Sequence, residues 1–208
     1  MSQTRQLAAI MFTDIVGYTA LMGNNEQKAF ELLRKNREIQ KPVIEEFGGI
    51  WIKELGDGVM ASFSSVSNAV YAALKIQDAC NKANEFSLRI GIHQGEVVFE
   101  NGDIFGDTVN TASRLENQSA PMKINISLDV MKELGDLYKY EDRGELEVKG
   151  KNKRECDPKT RLHSDKDRIT DPFSKRVQPE GCERGEDEFG KPPDDPALHP
   201  GTNNKDRK

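Results

Sequence analysis

Hydrophobic positions along this chain follow strand and helix spacings in alternation. A continuous apolar run over Leu7–Thr13 has the length of a strand that is covered on both faces. Further on, apolar residues recur at helical spacings between Phe30 and Phe47, after the helix-opening residues Asn24–Glu26. Pro42 is expected to kink or divide this helix, because proline lacks the N–H that a helix interior needs.

Two short apolar segments around a glycine-rich turn predict a β-hairpin. Ile50–Leu55 and Val59–Phe63 flank Gly56–Gly58, and Asp-Gly at a turn is a hairpin signature. We assign further helices near residues 66–80, 107–115 and 128–134, and further strands near residues 88–92, 97–99, 124–126 and 138–148. Strands that alternate with helices predict an α/β or α+β fold, in which helices flank a mixed β-sheet.

Composition divides the chain into a folded part and a polar tail. Hydrophobic residues make up 36% of the sequence, but only nine of the 54 residues from Glu155 to Lys208 are hydrophobic. Seven of the nine prolines also lie in this segment. Such a segment buries too little apolar surface to offset the entropy lost on ordering. We therefore predict one domain over residues 1–154 and a disordered tail over residues 155–208, with a small folded appendage as the alternative.

Charge and cysteine usage exclude several classes of protein. No apolar stretch reaches the roughly 18 residues that a membrane span requires, and the apolar run near the N-terminus is too short for a signal peptide. The net charge is −5, and no basic block suits nucleic acid. Three irregularly spaced cysteines predict neither a disulfide framework nor a thiolate metal site. A reducing cytoplasm is therefore the expected location.

Two acidic residues lie at predicted turns that contain glycine, which follows Asp14 after three residues and flanks Asp57 on both sides. Asp14 directly follows the first strand, and Asp57 lies at the tip of the hairpin. A carboxylate at such a turn can hold a hard cation, although a helix cap and an ordinary Asp-Gly turn are the structural alternatives. If the hairpin lies beside the first strand, the two carboxylates come together. Paired carboxylates without histidine or cysteine favour Mg²⁺ or Mn²⁺ over zinc and indicate phosphoryl or nucleotidyl transfer.

Three further polar residues lie within otherwise apolar elements. Strand alternation places Lys53 on one face with Trp51 and Leu55, where it is either an edge-strand charge or a specificity contact. Asn110 and Arg114 are four residues apart in a predicted helix and therefore lie on one face. An amide and a guanidinium there suit a sugar hydroxyl and a phosphate, and a solvated polar face is the alternative.

Four blocks of sequence together resemble the catalytic domain of class III adenylyl and guanylyl cyclases, of the bacterial adenylate cyclase type. They are FTDIVGYT, KELGDGVMASF, RIGIHQGEV and DIFGDTVNTASRLEN, within a region from about Leu7 to Lys151. The resemblance implies a ferredoxin-like core and conversion of ATP to 3′,5′-cyclic AMP and pyrophosphate. It also implies a head-to-tail homodimer, in which one chain supplies the metals and the other contacts the base, the ribose and the transition state.

The resemblance implies roles for individual residues at such a site. Asp14, Asp57 and the backbone carbonyl of Ile15 are implied to hold two Mg²⁺ or Mn²⁺ ions per active site. Arg114 is implied to stabilise charge on the α-phosphoryl group, and Asn110 to orient the ribose.

Substrate choice is implied by two other positions that match the family. Lys53 and Asp103 match the pair that recognises adenine, since an ammonium can donate to a ring nitrogen and a carboxylate can accept from the exocyclic amine. Lys149 matches a lysine that contacts the triphosphate. Guanylate cyclase activity and a catalytically silent, cyclase-like nucleotide-binding or dimerisation module are the alternatives.

Two departures from the family pattern are visible. Beyond Arg154 the sequence offers no apolar strand to close the sheet, so the sheet is expected to lack an edge strand. The stretch from Val98 to Asp103 is short and offers no arginine to direct at the phosphates, so any dimerisation arm is expected to be small.

Overall fold

The computed structural model describes the backbone of residues 4–145 and 158–163, and the side chains of residues 4–141. The elements in chain order are β1 (Thr4–Ile15), α1 (Tyr18–Asn24), α2 (Glu26–Glu46), β2 (Ile50–Leu55), β3 (Gly58–Phe63), α3 (Val66–Ala83), β4 (Leu88–Glu100), β5 (Asp103–Phe105), α4 (Asp107–Asn117), β6 (Lys123–Ile126), α5 (Leu128–Leu134), a 3₁₀ turn (Gly135–Leu137), β7 (Lys139–Glu145) and β8 (Pro158–His163).

The strands form one mixed sheet of eight strands in the order β2-β3-β1-β4-β6-β8-β7, with β5 paired to β4 beside this path. Strands β4 and β6 run parallel, whereas β1 pairs antiparallel with both of its neighbours. Helices cover this sheet, which confirms the predicted fold class.

Strand β1 lies in the interior of the sheet between β3 and β4, and its residues alternate between two apolar clusters. Met11 and Ile15 belong to the larger cluster, which contains residues of α2, α3 and α5. Ile10 and Phe12 belong to the second cluster, together with Ala112 of α4. Burial on both faces explains why this strand reads as an unbroken apolar run rather than as an alternating pattern.

Helix α4 packs closely on β4 at Gly91. A Cβ atom at Gly91 would stand 2.2 Å from the amide nitrogen of Glu116 and 2.5 Å from the carbonyl oxygen of Ala112. Both distances are far inside van der Waals contact, so glycine alone allows the two backbones to approach so closely. This contact holds α4, which carries Asn110 and Arg114, against the sheet.

Helix α2 continues through Pro42 as a single helix of 21 residues. Of the two expected effects of Pro42, division of the helix is therefore wrong, and a kink stays a prediction. Val43 and Ile44, which follow the proline, are buried in the core, and this packing holds the last turn in place. No helix among the described residues combines the length and the apolar character that crossing a membrane requires.

At the edge of the sheet that contains β7, the structure differs from the prediction that no strand follows Arg154. Strand β8 (Pro158–His163) pairs antiparallel with both β6 and β7. The expectation that no strand beyond Arg154 completes the sheet is therefore wrong. A strand between two others is stabilised by main-chain hydrogen bonds, which do not need an apolar sequence. Residues 155–157 and 164–208 lie outside the described residues, and the domain boundary at Arg154 stays a prediction.

Candidate active site

Two of the predicted metal ligands stand together at one end of the sheet. Strands β1 and β3 are antiparallel neighbours with Thr13 opposite Val59, so the end of β1 lies beside the β2–β3 turn. A Cβ atom at Gly58 would stand 2.9 Å from the carbonyl oxygen of Thr13. Glycine at this position therefore lets the turn approach β1, which brings Asp57 to Asp14.

The carboxyl group of Asp14 changes the protonation of Asp57. Burial raises the pKa of Asp57 to about 6, and the charge of Asp14 and a hydrogen bond with it add to the rise. Hydrogen bonding by the backbone of Asp57 and Ile15 opposes the rise. Two charged carboxylates repel each other in such a site, and a divalent cation between them removes the repulsion. The donors therefore fit a hard cation such as Mg²⁺ or Mn²⁺.

The protein side chains offer few ligands for a metal ion at this site. Among residues 4–141, no group of three or more His, Cys, Asp or Glu side chains is arranged to hold a metal ion. Two carboxylates leave most positions around a hard cation open, and substrate phosphates and water can occupy them. Ile15 is buried beside the pair, and the role of its carbonyl as a ligand stays a prediction.

Arg89 of β4 bonds Asp14 directly, and Glu116 of α4 lies beside Arg89. Arg89 lies opposite Asp14 in the β1–β4 register, and its Nη2 donates a hydrogen bond to Oδ2 of Asp14. The Nε atom of Arg89 is 3.3 Å from Oε1 of Glu116. Burial raises the pKa of Glu116 to about 7, with a further contribution from Asp14, whereas Arg89 opposes the rise.

Sequence reasoning assigned no role to Arg89 or Glu116. A signal was present for Arg89, since it is a charged residue in an apolar strand and lies within the block RIGIHQGEV. Arg89 is like Lys53 in this respect, because each is a charged residue within an otherwise apolar strand. Glu116 offered no comparable signal, because an acidic residue near the end of a polar helix is ordinarily exposed.

Lys53 and Asp103 form an ion pair although 50 residues separate them in the sequence. The Lys53 Nζ atom is 2.6 Å from Oδ2 of Asp103, and the backbone N–H of Ile104 donates to Oδ1 at 2.8 Å. The bond from Lys53 lowers the pKa of Asp103 below its ordinary value. The ammonium has three donors and the carboxylate several acceptor positions, so each group can still bind a ligand.

A β-bulge in β2 corrects the predicted orientation of Lys53. Trp51 pairs with Ala61, and Lys53 pairs with the adjacent Met60, so Ile52 is an extra residue in β2. Trp51 packs against the larger cluster, whereas Met60 belongs to the cluster on the α4 side. Trp51 and Lys53 therefore face opposite sides of the sheet, and the expectation that they share a face is wrong. A bulge re-aims side chains in this way because it interrupts strict alternation.

Asn110 and Arg114 lie four residues apart on α4, as the helical spacing predicted. Val109 and Ala112 of the same helix pack into the cluster below it, while Asn110 is exposed and Arg114 half-buried. Within the described part of the chain, neither side chain makes a hydrogen bond or an ion pair. Both are therefore open to a ligand.

The predicted site residues form two separate groups within one chain. In the described region, no hydrogen bond or ion pair joins Asp14 or Asp57 to Lys53 or Asp103. Lys149 lies outside the described residues, so its predicted contact with phosphate stays a prediction.

Comparison with known proteins identifies the family of this fold and site. Residues 1–157 match the family model described as the adenylate and guanylate cyclase catalytic domain. The chain therefore belongs to the class III nucleotidyl cyclases, which confirms the family that the four sequence blocks indicated.

Individual relatives include both kinds of cyclase. "Putative adenylate cyclase 3" of Rhizobium meliloti (strain 1021) is 37% identical over 59% of this chain, and retinal guanylyl cyclase 2 of Bos taurus is 30% identical over 72%. The chain spans 22% and 16% of the length of these two relatives. A solved adenylate/guanylate cyclase/hydrolase from Silicibacter pomeroyi has a TM-score of 0.73 at 34% identity, covering 79% of this chain and all of that one.

Proposed function

We propose that this domain is an adenylate cyclase, which converts ATP to 3′,5′-cyclic AMP and pyrophosphate. The family includes adenylate and guanylate cyclases, so the choice of adenine depends on the ion pair of Lys53 with Asp103. Adenine presents an acceptor at a ring nitrogen and a donor at its exocyclic amine. Lys53 supplies a donor and Asp103 an acceptor, and their mutual bond holds both in place before the base arrives.

In this reaction the ribose 3′-oxygen bonds to the α-phosphorus while the bond from that phosphorus to the bridging oxygen breaks. Pyrophosphate leaves with the electron pair of the broken bond, and the hydroxyl proton passes to solvent water. Asp14, Asp57 and the carbonyl of Ile15 would hold two Mg²⁺ or Mn²⁺ ions, and the raised pKa of Asp57 is the expected property of such a site. Bound ions of this kind lower the pKa of the hydroxyl and neutralise the triphosphate.

The residues of α4 act on the reacting groups directly. Arg114 places a permanent positive charge against the α-phosphoryl group, where negative charge accumulates in the transition state. Asn110, one turn earlier, orients the ribose through hydrogen bonds to its hydroxyl groups. Lys149 binds the triphosphate.

Two chains are needed for a complete site in this proposal. One chain of a head-to-tail homodimer contributes Asp14 and Asp57, and its partner contributes Lys53, Asp103 and the α4 residues. Among the described residues, no hydrogen bond or ion pair joins Asp14 or Asp57 to Lys53 or Asp103 within one chain, which supports this arrangement. Leu55 and Phe105, at 47% and 50% exposure, provide apolar surface beside Lys53 and Asp103. A cytoplasmic location stays a prediction from the cysteine usage.

The test is to incubate the purified chain with Mn²⁺ or Mg²⁺ and with ATP or GTP, and to quantify the cyclic nucleotide. We expect cyclic AMP as the main product, and almost none from Asp14→Ala or Asp57→Ala. Cyclic GMP as the main product would reassign the substrate, and wild-type rates from both variants would reject the metal ligands.

No product from a folded dimer would indicate a catalytically silent nucleotide-binding module. The predicted absence of an edge strand favoured that alternative. Since β8 is present and pairs with β6 and β7, this reason for the alternative no longer holds. Sedimentation equilibrium tests the homodimer independently.

A further inference from the structure

A line of three buried polar side chains connects α2 to the candidate metal site. Thr13 Oγ1 donates to Oε1 of Gln40 at 2.9 Å, and Gln40 Nε2 donates to Oδ1 of Asn36 at 2.5 Å. Asn36 Nδ2 donates in turn to the backbone oxygen of Asp57 at 3.5 Å. Exposure is 1% for Thr13, 0% for Gln40 and 3% for Asn36, so these groups depend on each other for hydrogen bonds.

One end of this line lies next to Asp14, and the other end contacts Asp57. Thr13 directly precedes Asp14 on β1, and the last acceptor is the main chain of Asp57 itself. Gln40 and Asn36 are one turn apart on α2, and this helix is anchored in the core by Leu32 and Ile44 among others. The helix therefore bridges the end of β1, which carries Asp14, and the β2–β3 turn, which carries Asp57.

The direction of every hydrogen bond in the line is determined by its last member. The carbonyl of Asp57 can only accept, so Asn36 must present its NH₂ group there and its oxygen toward Gln40. Gln40 must then donate to Asn36 and present its own oxygen to Thr13, whose hydroxyl donates. One unique arrangement satisfies these bonds, and a uniquely satisfied buried network holds its members in fixed positions.

Stability alone does not account for these residue types. A leucine or methionine at position 40 would bury apolar surface without the cost of desolvating an amide. The neighbouring buried residues of α2, which include Leu32, Val43 and Ile44, are apolar. Polar residues on α2 are buried where the helix meets Asp57 and the end of β1.

We propose that Thr13, Gln40 and Asn36 are positioning residues that set the separation of the Asp14 and Asp57 carboxylates for divalent cation binding. The inference rests on the proposed metal-binding role of Asp14 and Asp57. Residues that orient metal ligands typically change metal affinity by about 10- to 100-fold when they are removed.

The experiment measures Mn²⁺ binding to the full chain without nucleotide, through the loss of the electron paramagnetic resonance signal of free Mn²⁺. Gln40→Met and Thr13→Val keep shape and net charge while they remove the hydrogen bonds. We expect each to weaken Mn²⁺ binding by about tenfold or more. Thr13→Ser retains the hydroxyl and is expected to bind Mn²⁺ within about twofold of the wild type.

Gln77→Met is the matched control for the loss of a buried amide. Gln77 lies on α3 and donates to the backbone oxygens of Leu88 and Lys123 at 3.2 and 3.3 Å, and it makes no bond to the carboxylate residues. We expect this variant to keep wild-type Mn²⁺ affinity, and thermal unfolding of Gln77→Met and Gln40→Met measures what the loss of each buried amide does to stability. If Gln40→Met and Thr13→Val also keep wild-type Mn²⁺ affinity, the network is merely structural and the proposal is wrong.

Two further measurements separate this inference from the function on which it rests. Absence of Mn²⁺ binding by the wild type, or undiminished binding by Asp57→Asn, would overturn the metal site and the positioning proposal with it. If Gln40→Met does not fold, Thr13→Val carries the test. In steady-state assays, a shift in the Mn²⁺ activation constant without a change in the KM for ATP supports positioning, whereas a changed KM alone contradicts it.

Discussion

The two charged pairs of this domain are held in place in different ways. Asp14 and Asp57 carry like charges and are partly buried, and they are supported by Arg89 and by the buried polar side chains of α2. Lys53 and Asp103 carry opposite charges, are 40% and 31% exposed, and hold each other directly. Like charges stay together when surrounding groups stabilise them, whereas opposite charges position themselves.

Because of this difference, substitutions at the two pairs are expected to have different effects on activity. Several residues position the carboxylate pair. Substitutions that disturb the geometry of this pair are therefore expected to lower turnover. At the ion pair, the two side chains face a ligand from a more exposed position, so substitutions there are expected to change substrate choice first.

The largest effect is expected from removing one charge of the carboxylate pair. Asp14→Asn and Asp57→Asn keep the shape of the side chain and lose its charge, so turnover should fall by about 10³-fold or more. Cyclic nucleotide production at saturating Mn²⁺ measures the loss, with circular dichroism as the control for folding. Activity within tenfold of the wild type would remove the carboxylates from the mechanism.

The second-largest effect tests whether Arg114 and Asp57 of one active site belong to different chains. Arg114→Ala should lower turnover by about 10²- to 10³-fold, because it removes a charge that stabilises the transition state. In a head-to-tail dimer of Arg114→Ala with Asp57→Asn, one of the two sites contains neither substitution. An equal mixture should therefore recover about a quarter of wild-type activity if subunits exchange freely. If the Arg114→Ala and Asp57→Asn variants stay inactive after they are refolded together, the result would contradict a site shared between two chains.

A smaller and more selective effect is expected at the ion pair. Lys53→Met removes the donor to the adenine ring and leaves Asp103 without its partner, so kcat/KM for ATP should fall by about 10- to 100-fold. The value for GTP should change less, and assays with both nucleotides measure the ratio.

Arg37→Met provides the matched control for Lys53→Met. It removes the neighbouring ion pair of Arg37 with Glu54, where Nε donates at 2.8 Å to a carboxylate that is not a site residue. Equal losses of activity in Lys53→Met and Arg37→Met would show that the strand, and not the adenine contact, is responsible.

The smallest effect concerns stability without metal. The pKa of Asp57 is raised from 3.8 to about 6 in the folded chain. The native state therefore binds this proton more tightly than the unfolded state, and stability falls as pH rises from about 4 to about 6. In EDTA at pH 7.5, Asp57→Asn should raise the Tm by a few degrees, roughly the effect of 1 kcal/mol or less.

At pH 4 the difference in Tm between Asp57→Asn and the wild type should shrink, because the carboxyl group is then protonated in the native state. Differential scanning calorimetry at both pH values measures the two differences. A variant that is less stable than the wild type at pH 7.5 would contradict the repulsion on which the comparison depends.

Local sequence determined much of the fold and part of the site. The apolar run before Asp14 predicted a doubly covered strand, and the Asp-Gly turn predicted the hairpin whose register brings Asp57 to Asp14. The spacing of Asn110 and Arg114 predicted their shared helix face. Each of these inferences depends on neighbours within a few residues, where the periods of helix and strand decide which side chains meet.

Contacts between distant segments were decided by the tertiary structure. The bulge at Ile52 turned Lys53 to the opposite face from Trp51, and the polar segment at Pro158–His163 became a strand between β6 and β7. Burial of Glu116 and of Gln40 depends on how α4 and α2 pack on the sheet.

The sequence by itself therefore determined the family, the mixed sheet with its helices, and the residue types of the candidate site. Tertiary structure alone decided which groups support Asp14 and Asp57, and that Lys53 meets Asp103 in the same chain. The physical reason is that periodicity acts over one or two turns of chain, whereas burial, pKa and hydrogen-bond direction depend on packing between segments 21 to 75 residues apart.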